Sequence, residues 1–311
     1  MESEGRVAMK EVRSMRALSV TRSARHGITG GMAALLLASC GISQQQEVEL
    51  GASTAAEVSA QLPLIRDAAV VNYITTLGNQ LAAVTDSRGL AWHFTVVDSR
   101  EVNAFAVPGG WVYVNRGLIE RATNMSELAG VLAHEIGHIT RRHSVQQMQQ
   151  MQEANVGLAL MCTLTRVCES GASQAAINIG GSALFAKFSR SDEAEADAEG
   201  VSTTIKAGIS PNGIPSMFQL LLNERKSNPS GLDAFFASHP LEESRITATQ
   251  AQIATYPASQ LQRLTRDTPA FQAFRRRLLA LPPSPVAKKA AEATAQWPGT
   301  PLPLEERTSP P

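Results

Sequence analysis

Apolar side chains recur at three- and four-residue steps between about residues 55 and 84, at Leu62, Ile65, Ala69, Tyr73, Leu77 and Leu81. That spacing predicts a helix. Residues 91–98 are rich in β-branched and aromatic side chains and predict a strand. Two more strands are expected at 102–107 and 111–114, joined through Pro108-Gly109-Gly110 as a hairpin. Asn124 stands where an N-cap is needed, with Glu127 three residues on as in a capping box, and opens a helix carrying Leu128, Val131 and Leu132. Helical periodicity returns at about 191–207, 214–224 and 241–254. A small β-sheet beside a mainly helical body is therefore expected, an α+β class.

The two ends depart from this pattern. Residues 1–26 carry six Lys or Arg against three Glu, and residues 27–38 are small and apolar. A charged stretch before an apolar run too short to span a bilayer reads as a signal peptide over 1–39. Leu37-Ala38-Ser39-Cys40 resembles a bacterial lipobox, whose cysteine becomes the lipidated first residue. Several acyl chains on one residue anchor stably where one chain does not. Gly41 in place of aspartate favours the outer membrane, by resemblance to Gram-negative lipoproteins. Residues 40–53 are then expected as a linker, 54–280 as the folded domain, and the Pro-rich 281–311 as a disordered tail.

The full chain has 28 basic and 28 acidic side chains; without residues 1–39 it has 22 and 25. No basic patch or nucleic-acid motif is present, which argues against nucleic acid as a partner. Cys162 and Cys168 remain. On a continuous helix they would stand about 9 Å apart along the axis, out of disulfide reach, whereas a turn at 163–165 would let them bridge. Both readings stay open. The stretch 145–187 is rich in Gln, Met, Gly, Ala and Ser and contains no apolar run long enough to cross a bilayer.

The chemistry concentrates at His134-Glu135-Ile136-Gly137-His138. Residues four apart share a helix face, so His134 and His138 can grip one metal ion while Glu135 holds a metal-bound water. A third ligand is expected from Glu193, at the start of the helix opened by 189–197, with Asp197 one turn on. A His-His-Glu set leaves a fourth position open, as a catalytic zinc site requires. Asp197 is placed to accept from the free ring nitrogen of a ligating histidine, His134 first. The bland alternative for 192–197 is an acidic solvated helix face. His143, five residues past His138 and about 140° further around the helix, is expected to face away from the metal and not to ligate it, and His93 reads as a packing residue. His26 is lost with the signal peptide.

The pentapeptide, the later Glu193-x-x-x-Asp197, the hairpin from Asn103 to Val114 and Ser238-His239-Pro240…Arg245 together resemble the HtpX and CAAX prenyl protease family of gluzincin zinc metallopeptidases. The pattern is most similar to the soluble periplasmic branch typified by BepA and LoiP, and covers about residues 50–256. The resemblance implies one zinc ion and a zincin-like fold. It implies a metalloendopeptidase acting on unfolded or misfolded cell-envelope proteins, with ties to outer-membrane assembly machinery, and periplasmic placement at the outer membrane through Cys40. It also implies substrate strands added to the hairpin edge, and His239 as oxyanion donor or as a zinc-ligating switch. Arg245 would bridge to the site or pair with a carboxylate. The segment 145–187 stands where the soluble branch has a segment near the cleft, which would act as an access-limiting lid or simply pack as helices. A chaperone or assembly factor that seldom uses its zinc site is the competing function; an intact Glu135 argues against it.

Overall fold

The computed structural model describes residues 41–151, 187–227, 232–240 and 243–284. The expected signal peptide, Cys40, Cys162, Cys168, most of the lid segment and nearly all of the Pro-rich tail lie outside the described residues.

The expected 55–84 helix is two helices. Helix α1 (Gln44–Gln61) ends at Leu62, which is extended, because Pro63 disfavours helical backbone in the residue before it. Residues 63–65 then pair along the first strand, with Asp98 N donating to Pro63 O at 2.7 Å and Ile65 N to Val96 O at 2.9 Å. Asp67 accepts from Val70 N and opens α2 (Ala68–Ala82). At its other end α1 starts ten residues before the expected domain boundary, from a Ser43–Gln46 capping box. Residues 44–53, read as linker, are thus helical and packed, with Glu47 fully buried.

Strands β1 (His93–Val97), β2 (Ala104–Val107) and β3 (Trp111–Asn115) form a sheet of order β1-β3-β2. The hairpin β2–β3 is antiparallel, and β1 runs parallel to β3. Successive strand side chains face opposite ways. Val112 and Val114 accordingly enter the main core with Phe94 and Val96, while Tyr113 packs with Ala55 and Val58 of α1. The Tyr113 hydroxyl donates to Ala55 O at 3.1 Å. His93 stacks on Trp111, ring centres 3.8 Å apart, in keeping with a packing role.

Helices follow: α3 (Arg116–Arg121), α4 (Met125–Thr140), α5 (helical over residues 143–151), α6 (Arg190–Lys206) and α7 (Gly213–Ser227). After them come α8 (Asp233–Ser238), α9 (Glu243–Ile253), α10 (Ala258–Leu261) and α11 (Pro269–Leu279). Leu128, Leu132 and Ile136 of α4 are fully buried at the centre of the core, among side chains from α2, α6, α7 and α11. The α+β class is as expected: a three-stranded mixed sheet beside a helical body. Among the described residues no helix is long and apolar enough to cross a membrane.

Helix α1 meets the hairpin turn through Gly51, where a Cβ would fall 1.9 Å from Pro108 O. Backbone cannot yield as a flexible side chain does. Gly51→Ala is therefore expected to destabilise by about 1–3 kcal/mol despite alanine's better helix propensity. Thermal unfolding followed by circular dichroism checks it, and an unchanged midpoint would mean α1 stands off the turn.

Candidate metal centre

Three helices and one chain turn build the site. Asn124 caps α4 by accepting from Glu127 N, as expected. The capping box is incomplete, because the Glu127 carboxylate bonds Thr123 N at 2.7 Å and Ser216 Oγ at 2.7 Å. Helix α6 opens with a full box between Ser189 and Asp192. Helices α4 and α6 cross closely at Gly137, where an added Cβ would meet Ala196 O at 3.1 Å. Glycine inside the His-Glu-x-x-His stretch thus lets α6 bring Glu193 and Asp197 against both histidines. His239 comes from the C-terminus of α8, where its N–H donates to Phe235 O at 2.8 Å.

His134, His138, Glu193 and His239 each offer a donor atom within 4.8 Å of every other, and all four are buried. His134 Nε2 lies 3.1 Å from His138 Nε2, 3.6 Å from Glu193 Oε2 and 3.4 Å from His239 Nδ1. His138 Nε2 lies 3.4 Å from Glu193 Oε1. A first-row divalent ion bound at 2.0–2.1 Å in a tetrahedron spaces its donors about 3.3 Å apart. The donor types agree as well. Asp197 Oδ1 stands 2.9 Å from His134 Nδ1, the placement that favours the tautomer with its lone pair on Nε2. Lone pairs converging at 3.1 Å repel unless a cation lies between them. The residues fit a metal ion, which when bound supplies Lewis acidity to water and to a carbonyl oxygen.

Glu135 is fully buried beside this set, and no described group hydrogen-bonds either of its oxygens. Burial pushes its carboxyl above the usual carboxylate range, only partly opposed by the charges of His239 and His134. A carboxylate raised in this way is a stronger proton acceptor than a solvated one, as general-base work requires. Burial would also raise Glu193, but His239, His138 and His134 outweigh it and hold that carboxyl well below its ordinary value. Burial pushes His138 far down, toward the neutral form that ligates metals. For His239 burial is outweighed by the charges of Glu135 and Glu193, and its pKa rises.

Arg245 on α9 makes a fork to Asp197, Nε to Oδ2 at 2.7 Å and Nη2 to Oδ1 at 2.6 Å, while Nη1 lies 2.5 Å from Glu193 Oε2. It bridges to the site and pairs with a carboxylate at once. Its guanidinium also lies over the Phe218 ring, 4.6 Å from the centroid. Removing one member of a buried ionic set strands the others, at a cost of about 3–5 kcal/mol. Arg245→Met is expected to lower stability by that order in urea unfolding; a change below about 1 kcal/mol would mean solvent screens Asp197.

Two residues of the site carry no recognisable signal in the sequence. His143 is buried, and its Nδ1 lies 2.9 Å from His138 Nδ1. It is not among the converging donors, as expected, but it does not face away. Helix α4 stops at Thr140, and Arg142 adopts φ 61°, which turns the chain back. Neither Gly nor Pro marks that break. Phe188 stacks on the His138 ring at 4.0 Å and becomes relevant only through tertiary packing.

The model of peptidase family M48 matches residues 68–253. The chain belongs to that family. It is 32% identical over 208 residues to the beta-barrel assembly-enhancing protease of Escherichia coli (strain K12), 65% of this chain and 42% of the relative. It is 34% identical over 207 residues to the putative beta-barrel assembly-enhancing protease of Vibrio cholerae, 64% of this chain and 42% of that one. It is 28% identical over 172 residues to the metalloprotease LoiP of E. coli, covering 55% and 66%. The chain spans about two-fifths of the length of the first two. The M48 match begins at the first residue of α2 and ends at the last of α9, so α1 and α11 flank it.

Proposed function

We propose that this chain is a zinc-dependent metalloendopeptidase with His134, His138 and Glu193 as zinc ligands, Asp197 orienting His134, and Glu135 as general base then general acid. The observation that carries it is a buried His-His-Glu donor set beside a carboxylate that accepts no hydrogen bond from any described group. A purely structural site has no use for that carboxylate, and structural zinc is more often built from cysteines. Zinc is preferred on the imidazole–carboxylate donors.

Its substrates are unfolded or misfolded cell-envelope proteins. Names of M48 relatives as assembly-enhancing proteases support the compartment. The sheet supports the unfolded state. Residues 63–65 occupy the outer edge of β1, whereas β2 lies at the opposite edge, suited to pairing with an extended peptide by main-chain hydrogen bonds. Such pairing reads backbone more than sequence, so broad tolerance is expected. His239 acts as a switch that occupies the fourth donor position, supported by its Nδ1 standing 3.4 Å from His134 Nε2. The resemblance of 37–40 to a lipobox supports a mature protein anchored at the periplasmic face of the outer membrane, close to the assembly machinery.

Metal analysis of the purified chain, with cleavage of a reduced unfolded protein before and after chelation, tests the reading. One zinc per chain and chelator-sensitive cleavage are expected; cleavage that survives complete zinc removal would overturn it. For the anchor, mass spectrometry of membrane-extracted protein is expected to show a lipid-modified Cys40, and an unmodified N-terminus would reject it.

A further inference from the structure

Each ligating imidazole has a second nitrogen, and what that nitrogen meets fixes the tautomer and aims the ring. For His134 the partner is Asp197. For His138 it is His143, at 2.9 Å between Nδ1 atoms, with both rings buried. Two nitrogens at that distance share one proton. His138 turns Nε2 toward His134 and Glu193, so its own proton sits on Nδ1 and is donated to His143 Nδ1. His143 then carries its proton on Nε2, which faces Glu195 Oε2 at 3.6 Å. Phe188 covers one face of the His138 ring.

His143 reaches that place only because Arg142 takes a left-handed backbone, which is strained for a non-glycine residue. The strain is held by contacts from α1 and the residues before it. Arg142 Nε donates to Glu47 Oε2 at 2.7 Å, and its Nη2 to Ile42 O at 2.5 Å. Glu47, fully buried, also accepts from Arg88 Nη1 at 2.9 and 3.1 Å, while Arg88 Nη2 donates to Ile139 O at 2.7 Å in the last turn of α4. One carboxylate of α1 thus ties down both the end of the metal-bearing helix and the turn after it.

We infer that His143 is a positioning residue for the metal ligand His138, and that the Glu47 clasp from α1, outside the M48-matched residues, holds it there and so sets metal affinity. This rests on the metal reading above. The measurement is zinc affinity of the purified chain by competition with a chromophoric chelator, on variants whose circular dichroism matches wild type. His143→Leu keeps bulk but cannot accept the proton, and is expected to bind zinc about 10–100-fold more weakly. His143→Gln offers an amide oxygen and is expected to recover most of that loss, which a merely space-filling role would not predict. Glu47→Gln is expected to weaken zinc binding in the same direction; should it fail to fold, Arg142→Met removes the bonds from the turn to Glu47 and Ile42 O and leaves the Arg88–Glu47 pair in place. Wild-type affinity in His143→Leu, or a Gln variant as weak as Leu, overturns the positioning role. Wild-type affinity in the clasp variants overturns the part assigned to α1. A wild-type chain that takes up no zinc would instead refute the metal reading itself.

Discussion

Glu135→Gln is expected to reduce cleavage of an unfolded protein by about 10²–10⁴-fold, the range for losing a positioned general base, while zinc stoichiometry stays at the wild-type value. The separation follows from where Glu135 stands. It is on the ligand helix but is not one of the four converging donors, so the amide leaves the donor set intact. Neither oxygen accepts a hydrogen bond from a described group, so the substitution breaks none of those in the fold. The carboxylate is fully buried, so replacing it by a neutral isostere removes a desolvated charge, and the melting temperature should hold or rise. Parallel measurement of turnover, bound zinc and melting temperature checks all three. Equal cleavage by variant and wild type would sink the proposed mechanism. Zinc bound at one per chain with cleavage by neither would favour a chaperone or assembly factor that carries the site without using it.

His239→Ala is expected to raise cleavage by about tenfold or more, equivalent to 1.4 kcal/mol or more released from a closed state. Three donors leave a tetrahedral ion one position for the attacking water. His239 Nδ1 is the fourth converging donor and would take that position, standing 3.4 Å from His134 Nε2 and 2.9 Å from Glu193 Oε1. Its Nε2 faces Glu135 Oε1 at 3.6 Å, so the same ring crowds both ligand sphere and base. Truncation to a methyl group frees the corner and the carboxylate together. Initial rates on an unfolded substrate, normalised to bound zinc, decide the matter. A loss of about 10²-fold instead would assign His239 to stabilising the developing oxyanion.

The ligand positions were legible because helix geometry is local. His134 and His138, and likewise Glu193 and Asp197, fall on one face by counting alone. The hairpin was legible too, since Pro108-Gly109-Gly110 marks its turn and alternation marks its strands. Errors arose where local signals conflict or fall silent. Periodicity ran through Pro63 because Leu62 and Ile65 both pack, and only the dihedral restriction before proline divides α1 from α2. Residues 44–53 read as linker because Glu47 looks as solvated as Glu49 and the three glutamines until Arg88 and Arg142 reach it from 41 and 95 positions away. The helices α8 and α11 were not anticipated.

What the sequence alone determines is the chemical identity of the centre. Two histidines, the glutamate between them and a distant carboxylate of the donor set are specified by residue type and by spacing within a turn of helix, both properties of short segments. What the tertiary structure alone decides is the state and support of that centre. Whether His239 stands at the fourth corner depends on how α8 ends against α6, through a bond between residues 46 positions apart. Whether His143 turns away from His138 or props it depends on a left-handed residue held by the first helix. Such contacts are made between elements far apart in the chain, and no local periodicity encodes which of them will meet.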